Sequence, residues 1–116
     1  MYNKNKIYYY LSKTGDNPVK NFIDSLERSQ KAKIFRIFQR YERYGLDSII
    51  PHTKSLSGTP LWELRLLGKD NIRIIYLTKT KTSILTLHGF VKKKQKTPQK
   101  EINIALERYE VWKKSN

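Results

Sequence analysis

The chain is 116 residues long, with 24 Lys and Arg against 10 Asp and Glu, a formal charge of +14. That length suits one domain with a single modest core, so 1–116 is read as one unit, and the charge excess, which opposes compaction, points to a polyanionic partner. The absence of cysteine excludes disulfides and thiolate metal ligands.

At the N-terminus the apolar run is short and no small-residue cleavage site follows it, so no secretory signal is expected. No stretch approaches the ~18 apolar residues of a membrane span, and the expected location is the cytoplasm, away from any membrane. Residues 6–11, rich in Ile and Tyr, predict a first strand. A turn cluster at 14–17 leads into Asn17-Pro18, an N-cap followed by proline at the first helical position. Val19, Phe22, Ile23 and Leu26 recur at helical spacing, which predicts a helix running to about residue 28. Ser29 is read as the cap of a second helix whose buried stripe is Ile34, Ile37, Phe38 and Tyr41, and Gly45 ends it. The basic residues of that helix, Lys31, Lys33, Arg36, Arg40 and Arg43, read as a solvated face. Residues 47–60 are expected to be a loop holding His52 and Lys54. Three strand patterns follow. Thr97-Pro98 then repeats the cap-then-proline signal before a final helix over about 98–113, expected to fold back on the sheet.

The strands have a readable register. Trp62, Leu64 and Leu66 alternate with Glu63, Arg65 and Leu67, and Ile72, Ile74 and Tyr76 alternate with Arg73, Ile75 and Leu77. Pairing Leu66 with Ile72 across a turn at Gly68 gives one wholly apolar face, with Trp62 in that layer, and sets Arg65 opposite Arg73 on the other. A tight turn at Thr80-Lys81 then places Ile74 opposite Leu87, Tyr76 opposite Leu85 and Arg73 opposite His88. The expected result is a row of Arg65, Arg73 and His88 across three strands, continued by Lys92. From Asn71 to Lys100 no acidic residue occurs, while Lys92, Lys93, Lys94 and Lys96 form a basic burst.

Like charges side by side in a sheet are unfavourable unless an anion relieves them. Arginine forks suit phosphate oxygens and the charge that develops in phosphoryl chemistry, and a histidine or lysine can move a proton. The strands offer a single carboxylate, Glu63, so neither a metal site nor any other cofactor is expected. RNA carries its own nucleophile, the 2′-hydroxyl, and suits such a site better than DNA. The plainer readings are Arg65 and Arg73 as salt-bridge partners of Glu63 or the final helix, His88 as a packed sheet histidine, and the lysine burst as a solvated loop.

The segments Leu61-Trp62-Glu63-Leu64-Arg65, Arg73 in its short strand, His88-Gly89-Phe90-Val91-Lys92-Lys93 and Gln95-Lys96-Thr97-Pro98 before Glu101-Ile102 resemble the phage-derived branch of the RelE/HigB toxin superfamily. The resemblance implies a small α+β fold, RelE-like, with a twisted antiparallel sheet, two N-terminal helices and a C-terminal helix. It implies the toxin of a type II toxin–antitoxin pair, a metal-independent endoribonuclease cleaving mRNA at the ribosome. The resemblance places the family's functional basic positions on Lys54, Arg65, Arg73 and the Lys92–Lys96 segment, without fixing the general base and acid. Taken with the register, the expected catalytic residues are Arg65, Arg73, His88 and Lys92, and those expected to bind RNA are Lys54, Lys93, Lys94 and Lys96. The implied partners are a cognate acidic antitoxin, mRNA and the ribosome. The alternative is a non-catalytic module that binds nucleic acid or protein, such as a ParE-like gyrase inhibitor or a decayed toxin.

Overall fold

The computed structural model describes residues 4–66, 71–93 and 96–115. Its elements are β1 (Lys6–Tyr9), α1 (Pro18–Asp24), α2 (Arg28–Tyr44), two 3-10 turns (Leu46–Ser48 and Ile50–His52), β2 (Thr53–Ser55), β3 (Trp62–Arg65), β4 (Ile72–Thr80), β5 (Ser83–Val91) and α3 (Gln99–Ser115). The fold is α+β and compatible with a small RelE-like fold. Its five strands are ordered β1-β5-β4-β3-β2, and the sheet is mixed, since β1 pairs with β5 in parallel. Among the described residues, no helix is long and apolar enough to cross a membrane.

Local chemistry sets the helix ends. Asn17 Oδ1 accepts the backbone N–H of Lys20 at 3.1 Å, and Pro18 takes the first helical position. This helix stops at Asp24, earlier than its apolar spacing suggests. The cap of α2 is Glu27 rather than Ser29. Glu27 accepts from the third helical residue, and the side chain of that residue, Gln30, accepts the Glu27 N–H at 2.9 Å. Gly45, at φ 86°, ends α2 in a backbone state that a side chain would strain.

Residues 47–60 are more ordered than a loop: the two 3-10 turns lead into β2, which pairs antiparallel with β3. Three residues are too few to display a period, which is why the strand escapes a reading by pattern. The β3–β4 register is as expected, with Trp62 opposite Tyr76, Leu64 opposite Ile74 and Arg65 opposite Arg73. Leu66 N–H donates to the Ile72 carbonyl at 3.1 Å. The turn expected at Gly68, and Leu67 with it, lies outside the described residues. Trp62 is not core: it is 38% exposed, because its outer neighbour is Ser55 on the short β2, too small to cover an indole.

The β4–β5 register departs from expectation. Ile74 lies opposite Gly89, Ile75 opposite His88 and Arg73 opposite Phe90, while Tyr76 pairs with Thr86 and Leu77 with Leu85. The hairpin turns one residue later than expected, since Thr80 pairs with Ser83, and the ladder slips between Ile75 and Tyr76, leaving Leu87 as an extra residue. The slip moves Leu85 and Leu87 off the α1/α2 side. One core holds Val19, Ile23, Ile34, Phe38, Tyr41, Leu64, Leu66, Ile72, Ile74 and Tyr76 beneath α1 and α2. The other holds Leu61, Ile75, Leu77, Leu85, Leu87, Phe90 and Ala105 beneath α3. At Gly89 the Phe22 ring of α1 packs directly on the sheet, and a Cβ there would overlap it.

Candidate functional site

The α3 side of the sheet carries the chain's polar cluster. Alternation along β3 puts Glu63 and Arg65 on this side, and the register brings Lys54 opposite Glu63 and Arg73 opposite Arg65. Glu63 is fully buried, although no sequence rule buries a glutamate in a sheet. Its two oxygens are both engaged. Arg73 Nε approaches Oε1 at 3.3 Å, and the Thr97 hydroxyl donates to Oε2. The Arg73 approach is an ion pair without hydrogen-bond alignment, since neither atom has a hydrogen-bond partner. Another Arg73 nitrogen, NH1, donates to the Ile72 carbonyl at 3.1 Å. Arg65 Nε is also buried without a partner.

Lys92 joins the cluster from the end of β5, where its N–H donates to the Asn71 carbonyl at 2.7 Å and prolongs the hairpin ladder. Burial holds its amine below the usual lysine range. Glu63 pulls the other way, and Arg73, Lys54 and Arg65 push it down further. The ammonium therefore senses all four groups at once: Lys54, Arg65, Arg73 and Lys92 are one electrostatic unit around one buried carboxylate. Lys93 and Lys96 are exposed beside it, and Lys94 lies outside the described residues.

His88 stands in the neighbouring row, on the same side but not in line with the arginines. Its Nε2 is 2.8 Å from Glu101 Oε1 and its Nδ1 is 3.2 Å from Arg108 NH1, with 12% of the side chain exposed. Arginine only donates, so Nδ1 accepts and Nε2 carries the proton toward Glu101. Burial lowers the His88 pKa, Glu101 raises it in part, and Arg108 lowers it again. The ring also stacks on Phe90 at 5.4 Å between centroids. Arg108 NH1 donates to the Leu87 carbonyl at 2.9 Å, so the same guanidinium ties α3 to the irregular stretch of β5.

The arginines and Lys92 are thus gathered as the sequence suggested, with Lys54 added from β2. Glu63 in its central role, Thr97, Glu101 and Arg108 were not foreseen. One signal was there for the last two: Glu101, Ala105 and Arg108 fall at i, i+4 and i+7, on the α3 stripe that faces the sheet. Among the described residues, no group of three or more His, Asp or Glu is placed to hold a metal ion.

Residues 21–110 match the family described as Phage derived protein Gp49-like (DUF891). The chain belongs to the Gp49-like family. The matched span includes the whole cluster, from Lys54 to Arg108. Gp49-like proteins are associated with toxin–antitoxin systems, which makes this chain a toxin-type module and implies an antitoxin partner. No curated protein matches it.

Proposed function

We propose that this Gp49-like toxin is a metal-independent endoribonuclease of the RelE/HigB kind, cleaving mRNA at the ribosome. The observation that carries the reading is the cluster of Lys54, Arg65, Arg73 and Lys92 around Glu63, in which the positive charges outnumber the negative. A phosphate entering this cluster supplies the counter-charge that Glu63 alone does not provide. Arg65 and Arg73 hold its nonbridging oxygens and stabilise the extra charge of the pentacoordinate state. The 2′-hydroxyl gives its proton to bulk water as its oxygen attacks phosphorus; the P–O5′ bond breaks, and the products are a cyclic phosphate and a 5′-hydroxyl. Lys92, made more acidic by its setting, donates the proton to the departing 5′-oxygen. Lys93, Lys94 and Lys96 bind flanking phosphates. His88, held at both nitrogens, serves as a positioning residue: it fastens α3, and with it Thr97, to the sheet. The antitoxin is acidic in this reading, since charge complementarity speeds encounter and fixes orientation.

Mapping RNA 5′ ends after induction in cells is the test. New 5′-hydroxyl ends inside coding sequences are expected, absent for Arg73→Ala. Growth arrest with intact mRNA would sink the nuclease and favour a binding module.

A further inference from the structure

The reverse side of the same corner holds a second cationic feature. There α2, the turn Ile50–His52 and the end of β3 enclose a cavity of about 300 Å³, lined by Lys33, Arg36, Ile37, Arg40, His52 and Leu66. Lys33, Arg36, Ile37 and Arg40 fall at i, i+3, i+4 and i+7, so they share one face of α2. Among the described residues, none that lines the cavity is acidic. Among the described residues, no carboxylate pairs with Arg36 or Arg40. His52 Nδ1 is buried with no hydrogen-bond partner. The α2 basic face was read from sequence as plainly solvated; a concave lining in which Arg36 and Arg40 stand side by side is a different thing.

The cavity is coupled to the cluster by the chain itself. Leu66 directly follows Arg65, and alternation turns the two toward opposite faces. His52 precedes Lys54 by two residues, and Lys54 pairs with Glu63. Both features therefore border β2, the edge strand of three residues. A strand of nucleic acid held at one can reach the other by passing round that edge.

We propose that this cavity is a second phosphate subsite, which takes a backbone phosphate of single-stranded RNA continuing round the β2 edge from the cluster. The inference rests on RNA being the ligand of the proposed function. Two arginine forks suit phosphate oxygens, and one such oxygen would satisfy the His52 ring nitrogen. An antitoxin helix is the weaker occupant, because among the described lining residues only Ile37 and Leu66 are apolar, and Leu66 is buried.

The test uses a labelled, uncleavable 2′-O-methyl oligoribonucleotide, with anisotropy read across a salt series. The proteins are the wild type, Arg36→Gln/Arg40→Gln, and a control, Lys113→Gln/Lys114→Gln, which removes equal charge at the far end of α3. Losing one phosphate contact should lower the log–log salt slope by about 0.7 in the cavity variant and leave the control unchanged. Inorganic phosphate should compete with the oligonucleotide on the wild type more than on the cavity variant. An equal slope in all three proteins overturns the subsite. So does inorganic phosphate binding in the cavity with no change in oligonucleotide slope, which marks a free-phosphate site. Loss of antitoxin binding at unchanged slope overturns it as well and makes the surface a protein contact. RNA cleavage by the same proteins separates the two readings. A reduced slope where the wild type cuts no RNA removes the nuclease and keeps the subsite. Cutting by the wild type with an unchanged slope does the reverse.

Discussion

Ile74 and Ile75 are consecutive on β4 and both fully buried, yet they look into different chemistries. Ile74 meets Leu64 across the ladder, Gly89 on its other side and a core of aliphatic and aromatic residues under α1 and α2. Ile75 sits between Glu63 and His88, in a layer that α3 closes with Glu101 and Arg108 as well as with Ala105. Around Ile74 the first face serves only to hold the fold. The second gives up stability to keep charges in place, a pattern that clusters at functional sites although structural ion-pair networks share it.

The contrast can be broken most forcefully at Glu63. Removing one member of a buried ion pair leaves the other uncompensated, so Glu63→Ala should cost about 3–5 kcal/mol, measured by urea unfolding. A smaller loss than that of an ordinary core truncation would mean that Glu63 is not the counter-charge of the cluster. On the apolar face, Ile74→Ala should cost about 2–5 kcal/mol through transfer and cavity terms. The activity per folded molecule should be unchanged, since Ile74 lines neither the cluster nor the α2 cavity.

Arg65→Met tests the opposite sign. It removes a buried donor without a partner, whose burial costs about 1–3 kcal/mol, and relieves Arg73 and Lys92 of a like charge. The variant should unfold at higher urea concentration than the wild type and lose RNA cleavage. A destabilised variant would show that Arg65 is structural.

The smallest effect is a pH slope. The folded His88 pKa lies below the ordinary value of 6.5, so the unfolded chain binds more protons as pH falls through 6.5. The contribution is complete above that value and is lost progressively down to the folded pKa. Urea midpoints should therefore fall more steeply from pH 7.5 to 5.5 in the wild type than in His88→Phe. Equal slopes would mean that burial does not hold the ring neutral.

Much of this was legible beforehand. The Arg65–Arg73 pairing follows from one constraint, that a slip of one residue would put charge into the apolar layer, and it holds. The β4–β5 pairing failed for a matching reason. Both sides of that hairpin are buried, so Ile75, Leu77, Leu85 and Leu87 give no polar face to choose a register by. Glu63 was seen as one salt-bridge option for the arginines, and Arg73 takes it. Its full burial depends on Thr97, a residue 34 positions away, and no local pattern records such a distance.

The pairing of β1 with β5 sets an order of events. The Thr86 hydroxyl donates to the Tyr8 carbonyl across 78 residues of sequence, so the first strand finds its place only after the last has been made. Contacts this remote slow folding, because loop closure must precede any gain from them. During synthesis α1 and α2 emerge with apolar stripes and no sheet to cover. Thr97, Glu101 and Arg108, which complete the surroundings of Glu63 and His88, come last of all. The surroundings of Glu63 and His88 are therefore incomplete in a nascent chain until Arg108 has been made, and under the proposed function that interval is open to an antitoxin before the chain can cut RNA.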